Sequence, residues 1–137
     1  MKILFVCFGN TCRSPMAEII FSNIAKKNNR RDITVKSAGI YAEENQPMMP
    51  LAREALMKCG EKLPRKIHKS TRLTMEMQHS FDHVIDTRAY LDPFGGDLED
   101  YVTLCKQLQT ACQMLYDKLC KTSSSPATTA ASNLNNQ

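Results

Sequence analysis

No apolar run in this 137-residue chain approaches the length needed to cross a membrane, which excludes a spanning helix. The N-terminus also lacks the form of a secretory signal. Met1 to Gly9 holds one Lys and then six apolar residues, with neither a longer apolar region nor a small-residue cleavage site. Positive charge is present but not gathered. The 18 Lys and Arg against 14 Asp and Glu give a formal +4, spread in short clusters such as Lys26-Lys27 and Arg30-Arg31. A nucleic-acid surface needs a concentrated patch, so the excess reads as a general preference for anionic partners. No internal repeat is visible. These absences leave the expectation of a soluble cytoplasmic protein with neither nucleic acid nor membrane as partner. The six cysteines, in a chain this long without an export signal, are expected to be thiols, some buried and some reactive.

What is present is an alternation of short apolar runs and helical patterns. Lys2 to Cys7 is rich in Ile, Phe and Val and ends at a Gly-Asn turn, as suits a strand buried on both faces. Ala17, Ile20, Phe21 and Ile24 follow at helical spacing, predicting a helix from Pro15 to about Lys27 with Ser14 as its cap. Ile33 to Ser37 reads as a second strand closed by Ala38-Gly39. A second helix opens at Pro50 and stops at Gly60. Thr74 caps a short helix through Gln78, and Phe81 to Ile85 is the third strand candidate. Asp92-Pro93-Phe94-Gly95-Gly96 is a strong turn signal, followed by a helical stripe from Asp97 to about Lys121. The expected domain is therefore 1–121. It is a three-layer α/β fold with a small parallel sheet of three to four strands and helices on both faces. The Ser/Thr/Asn-rich segment 122–137 is too polar to order itself and is expected to be a disordered tail.

Cys7, Phe8, Gly9, Asn10, Thr11, Cys12, Arg13 and Ser14 lie between the first strand and a helix N-terminus, where α/β sheets bind ligands. Backbone N–H groups there can converge on an anion, with the helix dipole adding to their field. Gly9 is expected to allow the tight turn. Arg13 offers a planar fork for two phosphoryl oxygens. The same field favours the thiolate of Cys7, the nucleophile a bound phosphate requires. A Cys at the end of a buried strand is usually a small core residue, and Cys-x5-Arg alone arises often by chance. Its place after the first strand, beside Gly9, Asn10, Ser14 and Pro15, favours chemistry.

The segment Val6 to Glu18 resembles the signature of the low-molecular-weight protein tyrosine phosphatase family, and Ser37-Ala38-Gly39 and the Asp92 turn are further matches. The resemblance runs from Met1 to about Lys121. It implies a phosphotyrosine-phosphatase-I-like fold and a phosphorylated protein as substrate, without cofactor or metal. It also implies Cys7 as nucleophile, Arg13 as phosphate clamp, Ser14 bonded to the thiolate and Asn10 shaping the loop, with Ser37 in support. Asp92 would protonate the leaving group; protonating a phenolate or amine as it departs is independent chemical support for an acid there. Cys12 resembles a second loop cysteine able to form a reversible disulfide with the nucleophile, its other reading being a small packed residue. His68 resembles a His that braces the loop Asn, and is otherwise an exposed polar residue. Tyr41 and Phe94 are candidate pocket walls or ordinary packing.

One feature departs from the family pattern. Only Thr87 to Leu91 separate the third strand from Asp92, where the family carries a further helix and strand. Parallel strands end on one side of the sheet, so the omission displaces the Asp-Pro turn sideways by about one strand spacing of ~4.8 Å. It should leave the third strand, with Asp82 and His83, at the sheet edge. Thr11 and the Asp-Pro-Phe-Gly-Gly turn resemble the bacterial branch that includes protein arginine phosphatases; tyrosine-specific relatives usually carry a bulky aliphatic residue at the position of Thr11. Phosphotyrosine-type hydrolysis is the first expectation and phosphoarginine the second. Arsenate reduction needs relay cysteines that residues 80–100 lack. A non-catalytic phosphate-binding regulator is the alternative from another class.

Overall fold

The structure, a computed structural model, describes residues 1–121; the expected disordered tail, 122–137, lies outside the described residues. Its element order is β1 (Lys2–Cys7), α1 (Arg13–Lys27), β2 (Thr34–Gly39), α2 (Pro50–Lys58), α3 (Met75–Ser80), β3 (His83–Asp86) and α4 (Leu98–Tyr116). A π-helical turn, Asp117–Lys121, extends α4. The three strands form a parallel sheet in the order β2-β1-β3, with Cys7 paired to Gly39 and Val6 to Asp86. β3 lies at an edge, as the short connection after it predicts.

Period-two alternation divides β1 between the two faces of the sheet. Ile3 and Phe5 enter the large core, together with Met16, Ile20 and Phe21 of α1, Leu56 of α2, and Tyr101, Cys105 and Leu108 of α4. Leu4 and Val6 face the opposite way, against Ala38, Leu73, Met77 and Phe81. The layering is thus three-fold but unequal, with α1, α2 and α4 on one face and the short α3 on the other. Gly60 stops α2 with φ 86°, while the Glu61 N–H bonds the Leu56 carbonyl at 2.9 Å, the left-handed ending that favours glycine. Asp97 and Asp100 cap each other's backbone N–H groups at the start of α4.

Three expectations need correction. α1 begins at Arg13, two residues before Pro15, and Ser14 does not cap it because its hydroxyl is committed elsewhere. Pro15 is still tolerated, since a first-turn residue has no intrahelical use for an N–H. β3 begins at His83 rather than Phe81. The third concerns Gly9. The left-handed residue of the loop is Asn10, φ 58°, and a Cβ on Gly9 would approach nothing closer than 3.9 Å.

Among the described residues, no helix is long and apolar enough to cross a membrane. Burial pushes the Cys112 thiol up to about 12 and raises Cys105 as well. Both stay protonated in the folded state, while their unfolded counterparts ionise near the ordinary thiol value of 9.0. The unfolded state then binds fewer protons, so stability falls as pH rises above that value. The unfolding free energy from denaturant curves should decline above pH 9 by up to about 1.4 kcal/mol per pH unit for each such thiol. Replacing Cys112 with Ala should flatten the decline.

Candidate active site

The loop from Cys7 to Ser14 is built around one buried amide. Asn10 has no solvent exposure, and every polar atom it carries is bonded. Its Nδ2 donates to Ser14 Oγ at 2.8 Å and to Ser37 Oγ at 2.9 Å. Its Oδ1 accepts from the Thr71 N–H at 2.9 Å, which fixes the orientation of the amide. Its carbonyl lies 2.7 Å from His68 Nε2, which therefore donates. Its own N–H points at Cys7 Sγ, 3.2 Å away.

These directions determine what reaches the sulfur. Ser14 Oγ already accepts from Asn10, so its proton is free to point at Cys7 Sγ, 2.9 Å away. Cys7 thus has two donors, the Ser14 hydroxyl and the Asn10 N–H, beside the first turn of α1. Both hold the sulfur in place inside the loop. Ser37 passes the same polarity outward, donating to Glu18 Oε1 at 2.6 Å. Burial raises the Glu18 carboxyl above its ordinary value, against the opposing pull of Ser37 and of His68.

Arg13, largely buried, directs Nη1 to the backbone carbonyls of Arg88 at 3.3 Å and Tyr90 at 3.0 Å. Its Nη2 lies 3.6 Å from Asp92 Oδ2. The connection Thr87–Leu91 therefore brings Asp92 beside Arg13 despite its brevity. The Asp92 side chain is 52% exposed, and its Oδ1 accepts from the Phe94 N–H at 3.1 Å. Gly39 closes the far side of the loop. A Cβ there would stand 2.7 Å from the Phe8 carbonyl and 2.8 Å from the Asn10 nitrogen, so only glycine permits this approach.

The remaining expected residues divide. Cys12 is buried and its thiol is pushed up to about 12, mainly by burial and then by Asp92 and Cys7, so it rests as a thiol. Its Sγ donates to Met16 Sδ at 3.9 Å. The Phe8 and Tyr41 rings pack at 5.1 Å and 47°, both well exposed. Phe94 is 75% exposed on the Asp92 turn. Thr11 accepts the Met49 N–H through its carbonyl. Glu18, Thr71 and the carbonyls of the connection Thr87–Leu91 carry no expected role from the sequence. A signal existed only for Glu18, which lies four residues after Ser14 on the same face of α1. The backbone partners had no signal at all. Among the described residues no group of His, Cys, Asp and Glu is arranged to hold a metal.

A thiol at the end of a central parallel strand, set inside a loop of converging donors and followed by an Arg on a helix N-terminus, defines an α/β protein built to handle an oxyanion. The model of the low molecular weight phosphotyrosine protein phosphatase family matches residues 2–90, and the chain belongs to that family of phosphoric monoester hydrolases. It is 32% identical to the protein-arginine-phosphatase of Bacillus subtilis (strain 168), over 88% of this chain and 98% of that protein. It is 31% identical to the low molecular weight protein-tyrosine-phosphatase PtpB of Staphylococcus haemolyticus, over 79% of this chain and 92% of that one. A solved structure of the arginine phosphatase YwlE, a Cys-to-Ser mutant with a phosphorylated active-site serine, superposes with a TM-score of 0.78. That protein shares 32% identity over 88% of this chain and 97% of the other.

The loop's dependence on Asn10 is separable from its backbone strain. Asn10→Gly relaxes the positive φ but removes the bonds to Ser14, Ser37 and Thr71. Activity toward an aryl phosphate should fall by about a hundredfold, the usual cost of misplacing reacting groups by an ångström. Steady-state kinetics beside a denaturation curve would check this; unchanged kcat would show that the loop keeps its shape without the amide.

Proposed function

We propose that this chain hydrolyses phosphorylated protein side chains through a cysteinyl-phosphate intermediate, with phosphotyrosine-type monoesters as the first substrate class. The observation that carries the reading is the pair of donors on Cys7 Sγ within a loop followed by Arg13. In the first step the sulfur attacks phosphorus, the bond to the leaving oxygen breaks, and Asp92, in its acid form, delivers a proton to that oxygen. In the second step water attacks phosphorus, its proton passes to the Asp92 carboxylate, and the P–S bond breaks to return the thiolate and release phosphate. Arg13 and the loop N–H groups of Phe8 to Ser14 hold the equatorial oxygens, whose charge is the main quantity to be stabilised. Asn10, Ser37 and His68 position the loop, and Cys12 is available as a disulfide partner for an oxidised Cys7. The phosphoserine in the YwlE mutant supports covalent transfer to this position. The same reading places the protein in the cytoplasm, where a thiol nucleophile stays reduced.

The short segment before Asp92 is best read as a deletion. The alignment with the Bacillus subtilis relative runs over 148 positions but takes in 88% of this 137-residue chain, about 121 residues, so about 27 positions lack a counterpart here. Support for a competent acid comes from the 3.6 Å between Arg13 and Asp92, which keeps the carboxylate at the phosphate clamp.

Phosphoarginine is the second reading. It is favoured by Thr11, by the two carboxylates Asp86 and Asp92 near Arg13, and by the arginine phosphatase relative. The tilted Phe8–Tyr41 pair suits either a phenyl ring or a guanidinium face.

Two measurements test these readings. On an aryl phosphate, Cys7→Ser should abolish turnover and Asp92→Ala should lower kcat by about 10²–10³, the range of one general acid. A wild type no faster than Cys7→Ser would sink the enzyme reading. Equal rates for Asp92→Ala and wild type would remove Asp92 from the mechanism. Paired phosphotyrosine and phosphoarginine peptides should then show a preference for phosphotyrosine, sharpened by Thr11→Ile; a preference for phosphoarginine that Thr11→Ile reverses would establish the second reading instead.

A further inference from the structure

Beside the catalytic loop the chain folds a long two-part groove that the chemistry above does not use. One part, a cavity of about 830 Å³, lies between α1, β2 and the connection from Pro64 to Thr71. The other, about 590 Å³, lies between the same connection and α2, and both share Ile19 and the wall from Pro64 to His68. Each has the volume of an ordinary ligand cleft.

The two parts differ in character. Lys36, Arg65, Lys66 and Lys69 line the first, all exposed, and Arg53 joins Arg65 and Lys66 in the second. Among the described residues none of these five cations takes part in a salt bridge. The only carboxylates in the lining are Glu18, which is bound by Ser37, and Glu54. The groove thus gathers +3 of the chain's formal +4, by bringing Lys36 and Arg53 in space to the basic stretch Arg65-Lys66-Ile67-His68-Lys69. The second part is apolar, formed by Met48, Met57, Leu63 and Ile67, with Met57 55% and Ile67 65% exposed. Methionine at such a surface adapts to varied side chains.

Both walls are bonded to the catalytic loop. The Met49 N–H, between Met48 and Pro50 of the apolar part, donates to the Thr11 carbonyl at 2.9 Å. His68, in the shared wall, donates to the Asn10 carbonyl at 2.7 Å. A segment lying in the groove therefore rests against the loop on its Asn10–Thr11 side.

We propose that this groove is an exosite for an acidic segment of the phosphoprotein substrate. Its carboxylates would lie on Lys36, Arg65, Lys66 and Lys69, and one apolar side chain would lie among Met48, Met57, Leu63 and Ile67. The proposal rests on the protein phosphatase reading. A polypeptide fits better than the other anionic macromolecules. No Phe, Tyr or Trp lines either part, and the one imidazole there, His68, is bonded to the Asn10 carbonyl, so a nucleic acid would find no stacking platform. The cations line a concavity, whereas a lipid surface is met by a flat or convex one. Charge complementarity of this kind acts on encounter and on selection among substrates more than on the chemical step.

The test is direct binding, measured by fluorescence anisotropy with an unphosphorylated peptide carrying four Glu and one Leu. Saturable binding is expected, weakening with added salt and unaffected when orthovanadate occupies the catalytic loop. Arg65→Glu with Lys69→Glu should weaken it about tenfold, two exposed ion pairs reversed at up to about 1 kcal/mol each. Ile67→Ser should weaken it independently. The charge-reversed variant should keep its kcat/KM on an aryl phosphate, which reports both folding and the enzyme reading, while its KM for an acid-flanked phosphopeptide rises. Absence of saturable binding, equal binding by the variant, or displacement by vanadate would overturn the exosite. So would binding of single-stranded RNA or anionic vesicles as tight as that of the peptide. Peptide binding without aryl phosphate turnover in wild type would count against the enzyme reading and leave the groove standing.

Discussion

Asn10 sits at the centre of the molecule's chemistry, fully buried and in a left-handed conformation that non-glycine residues seldom adopt. Such a conformation persists only where the surroundings over-determine it. Here the surroundings are Ser14 in α1, Ser37 at the end of β2, and His68 and Thr71 in the connection leading toward α3. Three separate parts of the chain must be in register for one amide to be satisfied. Leaving a buried amide unsatisfied costs about 1–3 kcal/mol, so the network ties the loop's shape to the assembly of the whole sheet. The same constraint explains Gly39, whose missing Cβ lets the end of β2 come close enough for Ser37 to reach Asn10.

The direction of these bonds matters as much as their number. Because the Asn10 amide is oriented by the Thr71 N–H, its two side-chain protons go to Ser14 and Ser37. Ser14 is thereby turned into a donor toward Cys7, and Ser37 into a donor toward Glu18. Were the amide reversed, Ser14 would have to donate to it and could no longer offer its proton to the sulfur. A polarity set in the connection 68–71 thus arrives at the nucleophile through three hydrogen bonds in series.

Much of this was legible in the chain and some was not, for identifiable reasons. β1, α1 and the loop between them are local: a short apolar run, a turn and a helical stripe within 27 residues, each readable from spacing. Cys7, Asn10, Arg13, Ser14, Ser37, His68 and Asp92 do converge; the first four share one motif, and the family resemblance named the other three. The role given to Gly9 was misplaced because a Gly-Asn pair does not say which member takes the positive φ, and here the amide needs it. Ser14 was misread as a cap for a related reason: a serine at a helix start has one hydroxyl, and tertiary partners outcompeted the helix for it. Contacts made by backbone carbonyls, such as those of Arg88 and Tyr90, carry no side-chain signature. The basic groove was only partly legible, because Arg65, Lys66 and Lys69 are close in the chain while Lys36 and Arg53 join them only in space.

Arg13 shows how the short connection from β3 becomes part of the site rather than a gap in it. A guanidinium has five N–H groups in a fixed plane, and the two on Nη1 are committed to Arg88 and Tyr90. That leaves Nε and Nη2, the edge that suits two oxygens of one phosphoryl group, with no hydrogen-bond acceptor among the described residues. Nη2 lies only within ion-pair range of Asp92, a half-exposed carboxylate at 3.6 Å whose attraction is weak and screened. A dianion arriving at that edge meets a fork already oriented by backbone carbonyls, and orienting it requires no ordering of a long side chain at that moment. The connection from β3 is therefore also what aims the arginine. This is why three strands suffice to hold the geometry that the loop, β2 and Asp92 share.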